Sequence, residues 1–294
     1  MANLKEVRNR IASVSSTQQI TKAMKMVAAA KLKRATNAIV QLRPYANKLR
    51  DILANVSSSV EGVSSPYTAE RNANHVLVVV ITSNRGLAGA FNANAIKAAT
   101  QLINIKYASQ RDAGQVKIMA IGKRGHDHFT RRGFEVLANY NEVFSDLSFE
   151  NVSKITDTIM SGFVEGEFDR VELVYNQFKN AAMQILTTEQ LLPLVPPVTE
   201  ENDAEQFADY IIEPSKETII QELIPKAVKT QLYKAVLDSN ASEHGARMTA
   251  MDKATDNAGE LLKELKLSYN QARQAAITTE LTEIVSGAAA LSAG

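Results

Sequence analysis

Residues 4–56, LKEVRNRIASVSSTQQITKAMKMVAAAKLKRATNAIVQLRPYANKLRDILANV, carry a seven-residue rhythm. One series steps through Leu4, Ile11, Gln18, Lys25, Leu32, Ile39, Ala46 and Leu53. A second sits three residues on, at Val7, Val14, Thr21, Ala28, Ala35, Leu42, Leu49 and Val56. Spacings of three then four put both series on one stripe of a helix. A stripe held for this long is the seam of a left-handed coiled coil. Pro44 interrupts the helix formers but not the rhythm, so it is expected to kink the helix rather than end it. Such a helix spans roughly 80 Å at about 1.5 Å per residue. Gln18, Thr21 and Lys25 put a polar stretch into the seam, the usual device for setting register or partner. Lys25 needs water or an acid within reach of its ammonium.

The rhythm returns at the other end of the chain. From about residue 215, Thr230, Leu237, His244, Met251, Ala258, Leu265, Ala272 and Thr279 form one series. Ala227, Lys234, Ala241, Met248, Thr255, Leu262, Tyr269 and Ala276 form the other. Pro214 before Ser215 marks a helix start, and Pro225 is expected to bend its first turns. Near the end the stripe slips to Ile277, Leu281, Ile284, Ala288 and Leu291. Two long heptad helices at the chain ends suggest an antiparallel coiled coil within one chain. The second, at about 115 Å, is the longer, so one helix must overhang. The tip ELTEIVSGAAALSAG, residues 280–294, is apolar and small, and is expected to lie inside a partner.

Between the helices the pattern changes. Val76–Thr82 is a continuous apolar run, as in a strand buried on both faces. Val116–Ile121, Phe134–Tyr140 and Val171–Tyr175 are further strands, and Met183–Leu186 adds a fifth. Helical stretches fall at Asn92–Tyr107, Lys123–Arg132 and Phe149–Val164. Strand alternating with helix indicates a doubly wound, Rossmann-like α/β domain inserted between the coiled-coil helices. Pro193, Pro196 and Pro197 then break the chain ahead of an acidic linker. The segments expected are 1–60, 73–205 and 210–294.

Composition narrows the function. The chain has 294 residues, 33 Lys and Arg, 32 Asp and Glu, and no cysteine. A disulfide framework and a thiol switch are excluded. The balance of charge hides an asymmetry. Residues 1–50 hold eleven basic residues and one acid, Glu6, whereas acids gather around Glu200–Glu222. The basic helix calls for an acidic partner. No apolar run is long enough to span a membrane. MANLKEVRNRI is expected to be neither a secretory signal nor a transit peptide.

Catalytic fingerprints are missing. SNRGLAGAFN, after the first strand, lacks the dinucleotide spacing, so Gly86 and Gly89 are read as turn and close-packing glycines. His126 and His128 fall on different helix faces, His244 lies on the seam, and His75 stands alone. No catalytic, cofactor-binding or metal-binding residue is assigned. Three readings stay open on the residues alone: an interaction protein without an active site, a nucleic-acid binder using the basic helix, and an α/β enzyme with helical arms. An unbroken seam among the basic residues disfavours the second. The missing ligand fingerprint disfavours the third.

ITTELTEIVSGAAA, residues 277–290, resembles the C-terminal signature of F-type ATP synthase gamma subunits: Ile-Thr-x-Glu, an acid three positions on, then Gly-Ala. Residues 11–35 and 246–275 and the SNRGLAGAFN turn resemble the same family, and the likeness covers the whole chain. It departs at Asn84, Ala88 and Ala90, where the family more often has Asp, Cys and Gly. The redox cysteines of chloroplast members are absent. The resemblance implies a central rotor shaft without an active site or cofactor. The shaft turns within three alpha and three beta subunits, with epsilon and the c-ring at its foot and no nucleic acid bound. It implies peripheral attachment at the cytoplasmic face of a bacterial inner membrane and coupling to proton flow. Met24 and Lys25 are placed against an acidic helix-loop of beta. Arg247, Arg273, Gln274 and Thr278 are placed in shaft–ring coupling, with Arg247 reaching an acid of the ring. Glu280, Ile284 and Leu291 are expected at the same interface.

Overall fold

The computed structural model describes residues 4–58, 65–194 and 216–292. Pro196, Pro197, the acidic stretch from Glu200 and the helix start at Pro214–Ser215 lie outside the described residues. The chain divides into two compact units, Met1–Ala28 with Met248–Gly294, and Ala29–Arg247. Two helices run through both: α1, Leu4–Ser58, and α6, Lys216–Ser292. α1 continues through Pro44 and α6 through Pro225.

In the first unit the seam positions of α1 from Leu4 to Ala28 are buried or half-buried, and so are those of α6 from Met248 to Ala276. In the second unit, Ala35 and Ile39 of α1 pack with Leu237 and Ala241 of α6, and Leu53 packs with Ile224. Positions rising along α1 meet positions falling along α6, so the pair is antiparallel. Each buried Leu- or Val-sized seam residue contributes about 1.5–3 kcal/mol.

The α/β domain lies wholly in the second unit. Its strands are β1 (Val76–Ile81), β2 (Val116–Ile121), β3 (Glu135–Asn139), β4 (Arg170–Phe178) and β5 (Gln184–Leu192). The helices between them are α2 (Phe91–Ile105), α3 (Ala108–Asp112), α4 (Lys123–Arg131) and α5 (Phe149–Val164). A short 3-10 turn covers Asn141–Phe144. The sheet order is β3-β2-β1-β4-β5, parallel except for β5, which runs antiparallel to β4.

Every residue of β1 is buried, which is why its sequence is continuously apolar. Its alternate side chains go to opposite layers. Leu77, Val79 and Ile81 join Val152, Ile155, Ile159 and Phe163 of α5 and Val228, Leu232, Ala235 and Val236 of α6. Val76, Val78 and Val80 join Ala99 and Ile103 of α2 and Phe129 of α4. α6 is therefore at once a coiled-coil strand and part of one layer of the domain. Glu172 of β4, buried on the α2 side, accepts from Lys106 Nζ at 2.6 Å and Tyr107 Oη at 2.5 Å, tying the end of α2 to the sheet.

The fifth strand differs from expectation. It extends to Leu192 rather than ending at Leu186, because the half-exposed edge tolerates the polar run Thr187–Gln190 that obscures the strand pattern. Its turn is fixed by Asn180, whose Oδ1 accepts from Ala182 N at 3.0 Å and Met183 N at 2.7 Å. α3 and the 3-10 turn are too short to leave a periodic signal.

Candidate functional site

The polar stretch of the seam belongs to the first unit. Gln18 Nε2 donates to Thr255 O at 3.4 Å, and the hydroxyls of Thr21 and Thr255 meet at 2.8 Å. One turn further along α1, Lys25 forms an ion pair with Asp252. A Cβ on Gly259 would come 2.9 Å from Gln18 Nε2, so the glycine makes room for that amide. Polar groups thus face polar groups over two successive turns of the seam, the kind of device that sets register between two helices. Lys25 has the acid its position required, but the acid is within this chain. The side chains are 39% and 47% exposed, so the pair is wet. Met24 beside it is half-buried, while Ile20, Met26 and Val27 project to solvent.

Beyond Ala276 the seam ends. Every position from Ile277 to Ala289 is exposed, and so is Leu291. Arg273, Gln274, Thr278 and Glu280 lie on this bare stretch or just before it, all exposed. Thr278 Oγ1 donates to Gln274 O at 2.9 Å. Ile277, Leu281, Ile284, Val285 and Leu291 add large apolar side chains to the same surface.

A second constellation lies in the other unit, at the turn after β1. Arg247 of α6 donates through Nη1 to Gly86 O, and through Nη2 to Arg85 O at 3.3 Å and Glu243 Oε1 at 2.6 Å. The guanidinium thus makes three hydrogen bonds within the chain, clamping the turn to the helix. An acid one helical turn earlier is the local signal for this pairing. On the other side Arg124 lies against Gly86, where a Cβ would stand 2.5 Å from Nη2. Asn84 completes the frame: it accepts from Lys123 N at 3.1 Å and donates to Asn141 O at 2.7 Å. An Asp in its place has no donor for the second bond. Leu87, at the tip, has φ 64 and is 65% exposed, an apolar residue held left-handed into solvent. Nothing in the sequence signals that conformation.

Buried polar groups of α6 line the same unit. Burial pushes the Asp238 carboxyl up to about 6 against the pull of Lys234 and Arg43. Burial, with Lys31 and Arg247 nearby, lowers His244 to about 4. His126 stands 3.7 Å from Asp127, and His128 stacks edge-on to Phe129. Among the described residues no cluster of three or more His, Asp or Glu side chains is placed to hold a metal ion, and no helix is long and apolar enough to cross a membrane.

These elements define an antiparallel coiled-coil protein with an inserted α/β domain and a bare apolar helix end. The sequence model of the family described as ATP synthase matches residues 3–291. The ATP synthase gamma chain of Cytophaga hutchinsonii is 55% identical over 293 residues, and that of Flavobacterium johnsoniae 58%, each alignment covering 99% of both chains. A chain of the Tetrahymena thermophila mitochondrial ATP synthase central stalk and c-ring structure is 25% identical. The match has a TM-score of 0.57 and covers 80% of this chain and 99% of that one. A chain of the Euglena gracilis mitochondrial ATP synthase, solved with OSCP, F1 and c-ring, shares the fold. Its TM-score is 0.70 at 22% identity, over 99% of this chain and 95% of that one. The chain belongs to the ATP synthase gamma-chain family.

Proposed function

We propose that the chain is the central rotor shaft of a proton-translocating ATP synthase and has no active site of its own. The observation that carries this reading is the end of α6, whose apolar side chains from Ile277 onward are left uncovered by the described residues. A sleeve formed by three alpha and three beta subunits is the occupant that its length, apolar character and family membership favour. Rotation of such a shaft offers each catalytic subunit a different face in turn. Differential contact energy then shifts each subunit between open and closed states.

Arg273, Gln274, Thr278, Glu280, Ile284 and Leu291 are the residues offered to the sleeve. Met24 and Lys25 meet it lower down. Lys25 brings a cation already shared with Asp252, so the exposed Met26 and Val27 add apolar contact there. Arg247 holds the carbonyls of Arg85 and Gly86 and keeps N–H groups with which to reach an acid of the ring. Epsilon and the c-ring attach at the α/β domain, which places the chain peripherally at the cytoplasmic face of a bacterial inner membrane.

The test is isolation of the tagged chain from gently solubilised membranes, with partner stoichiometry by mass spectrometry and an ATPase assay. Three alpha and three beta subunits per chain, with c subunits and ATPase activity, are expected. Recovery of nucleic acid, or of no stable partner, would overturn the reading.

A further inference from the structure

The outer surface between α2 and α4 holds a groove of about 810 Å3, one end of which opens beside the turn that follows β1. Lys97, Arg124, Arg131 and Arg132 line it against one acid, Asp127, which lies beside His126. All four cations are exposed, and none forms an ion pair or donates a side-chain hydrogen bond among the described residues. The concentration is local, since the whole chain is nearly neutral. His128 is also on the lining, with its Nε2 buried and without a hydrogen-bond partner among the described residues. Four cations around one concavity repel one another, and an anion seated among them relieves that repulsion. A single carboxylate neutralises one of them. A group carrying several charges in a small volume answers the whole set, and phosphate oxygens fit guanidinium forks in bidentate fashion. The volume is of the size that holds small molecules.

We propose that this groove is a binding site for a phosphate-bearing ligand whose phosphate groups carry two or more negative charges. Arg131 and Arg132 from the end of α4 and Lys97 from α2 grip the phosphates. Arg124 closes the end beside Gly86. Gly86 and Gly89 of the β1 turn lie on the lining, but the cations that grip the phosphates come from α2 and α4, which separates this site from a dinucleotide-binding loop. The site is independent of whether the chain turns within a ring.

Titration calorimetry of the full chain with tripolyphosphate is the direct measurement. It is made on the wild type, on Arg131→Gln/Arg132→Gln and, separately, on Lys97→Gln. Lys33→Gln/Arg34→Gln serves as a control that removes two exposed charges of α1. Co-sedimentation with phosphatidylcholine vesicles, with and without phosphatidic acid, separates a lipid headgroup from a free phosphate as the source. Weakening of roughly tenfold or more in the double groove variant, a smaller loss in Lys97→Gln and none in the control are expected. Retention only on phosphatidic acid vesicles, lost in the groove variants, supports the site with a lipid source. Binding to neither probe, or equal weakening in the α1 control, overturns it.

Discussion

Arg247 Nη2 lies 2.6 Å from Glu243 Oε1, one helical turn away, and each side chain is only 11% exposed. The same guanidinium holds the carbonyls of Arg85 and Gly86. Removing one partner of a buried pair strands the other charge, so Arg247→Ala is expected to cost about 3–5 kcal/mol. Glu243→Ala leaves Arg247 its two carbonyls and costs less. The double substitution costs less than the sum of the singles, because no charge is stranded. Urea unfolding of the full chain measures all three. Additive losses would mean that the two side chains do not act as a unit.

Lys25 and Asp252 are paired in the open, and their coupling is accordingly small. A double-mutant cycle with Lys25→Ala and Asp252→Ala should give about 0.2–1 kcal/mol, falling as salt is raised. A coupling that held in high salt would show a drier contact than the one described.

Asp238 and His244 pull the pH dependence of stability in opposite directions. The Asp238 carboxyl sits at about 6 against its ordinary 3.8, because burial outweighs Lys234 and Arg43. Its stabilising contribution is therefore full below 3.8 and lost as pH rises through about 6. His244 sits at about 4 against its ordinary 6.5, chiefly through burial. Its contribution is full above 6.5 and lost as pH falls through about 4. Between about 4 and 6 the two oppose each other. Asp238→Asn removes one of them, so it should stabilise the chain at pH 7 by about 1–3 kcal/mol, and the gain should fade towards pH 4. The variant should also lose stability on acidification more steeply than the wild type. Chemical denaturation at a series of pH values decides it, and a gain independent of pH would remove Asp238 as the cause.

Gly122, between β2 and α4, has φ +112, and a Cβ there would stand 2.1 Å from the backbone oxygen of Thr82. The close atom is backbone rather than the end of a flexible side chain, and the φ is one that L side chains rarely adopt, so relief requires the main chain to shift. Gly122→Ala should therefore destabilise the chain by more than the 1–3 kcal/mol of backbone strain alone. Gly114, with φ +70 and open space around it, should cost only about 1–2 kcal/mol on the same change. Thermal unfolding of both variants gives the comparison, and equal losses would mean that the approach to Thr82 relaxes freely.

Deleting the residues after Ile284 should weaken assembly with the catalytic ring more than it lowers ATP turnover per assembled complex. The deletion removes apolar contacts and leaves the paired part of the coil intact. Sedimentation of the reconstituted complex, with its ATPase rate, measures both. Normal assembly without turnover would contradict this role for the tip.

The seam was legible because two interleaved series mark the same stripe for fifty residues, and burial follows them closely from Leu4 to Leu53. β1 was legible because burial on both faces makes it apolar throughout. β5 was only half legible, since an edge strand has one side to satisfy and Thr187–Gln190 satisfy solvent. Positions on the bare end of α6 could be read from their pattern. The internal engagements of Lys25 and Arg247 could not, because they depend on which residues the antiparallel register and the β1 turn bring opposite. Leu87 left no trace, because a left-handed leucine is set by the clamp around it.

Lys25 and Asp252 are 227 positions apart in the chain, yet they face each other across the coil. During synthesis the first helix therefore leaves the ribosome long before its mate exists. At about 5–20 residues per second the wait is on the order of 10–45 seconds. Over that interval a basic helix with an apolar stripe is bare in a crowded cell. The α/β domain can assemble its β1–β4 sheet meanwhile, but the coil can close only after the final helix has emerged. Newly made chain is thus a natural client for chaperones that hold nascent helices, and slowing translation late in the message should raise the fraction lost to aggregation.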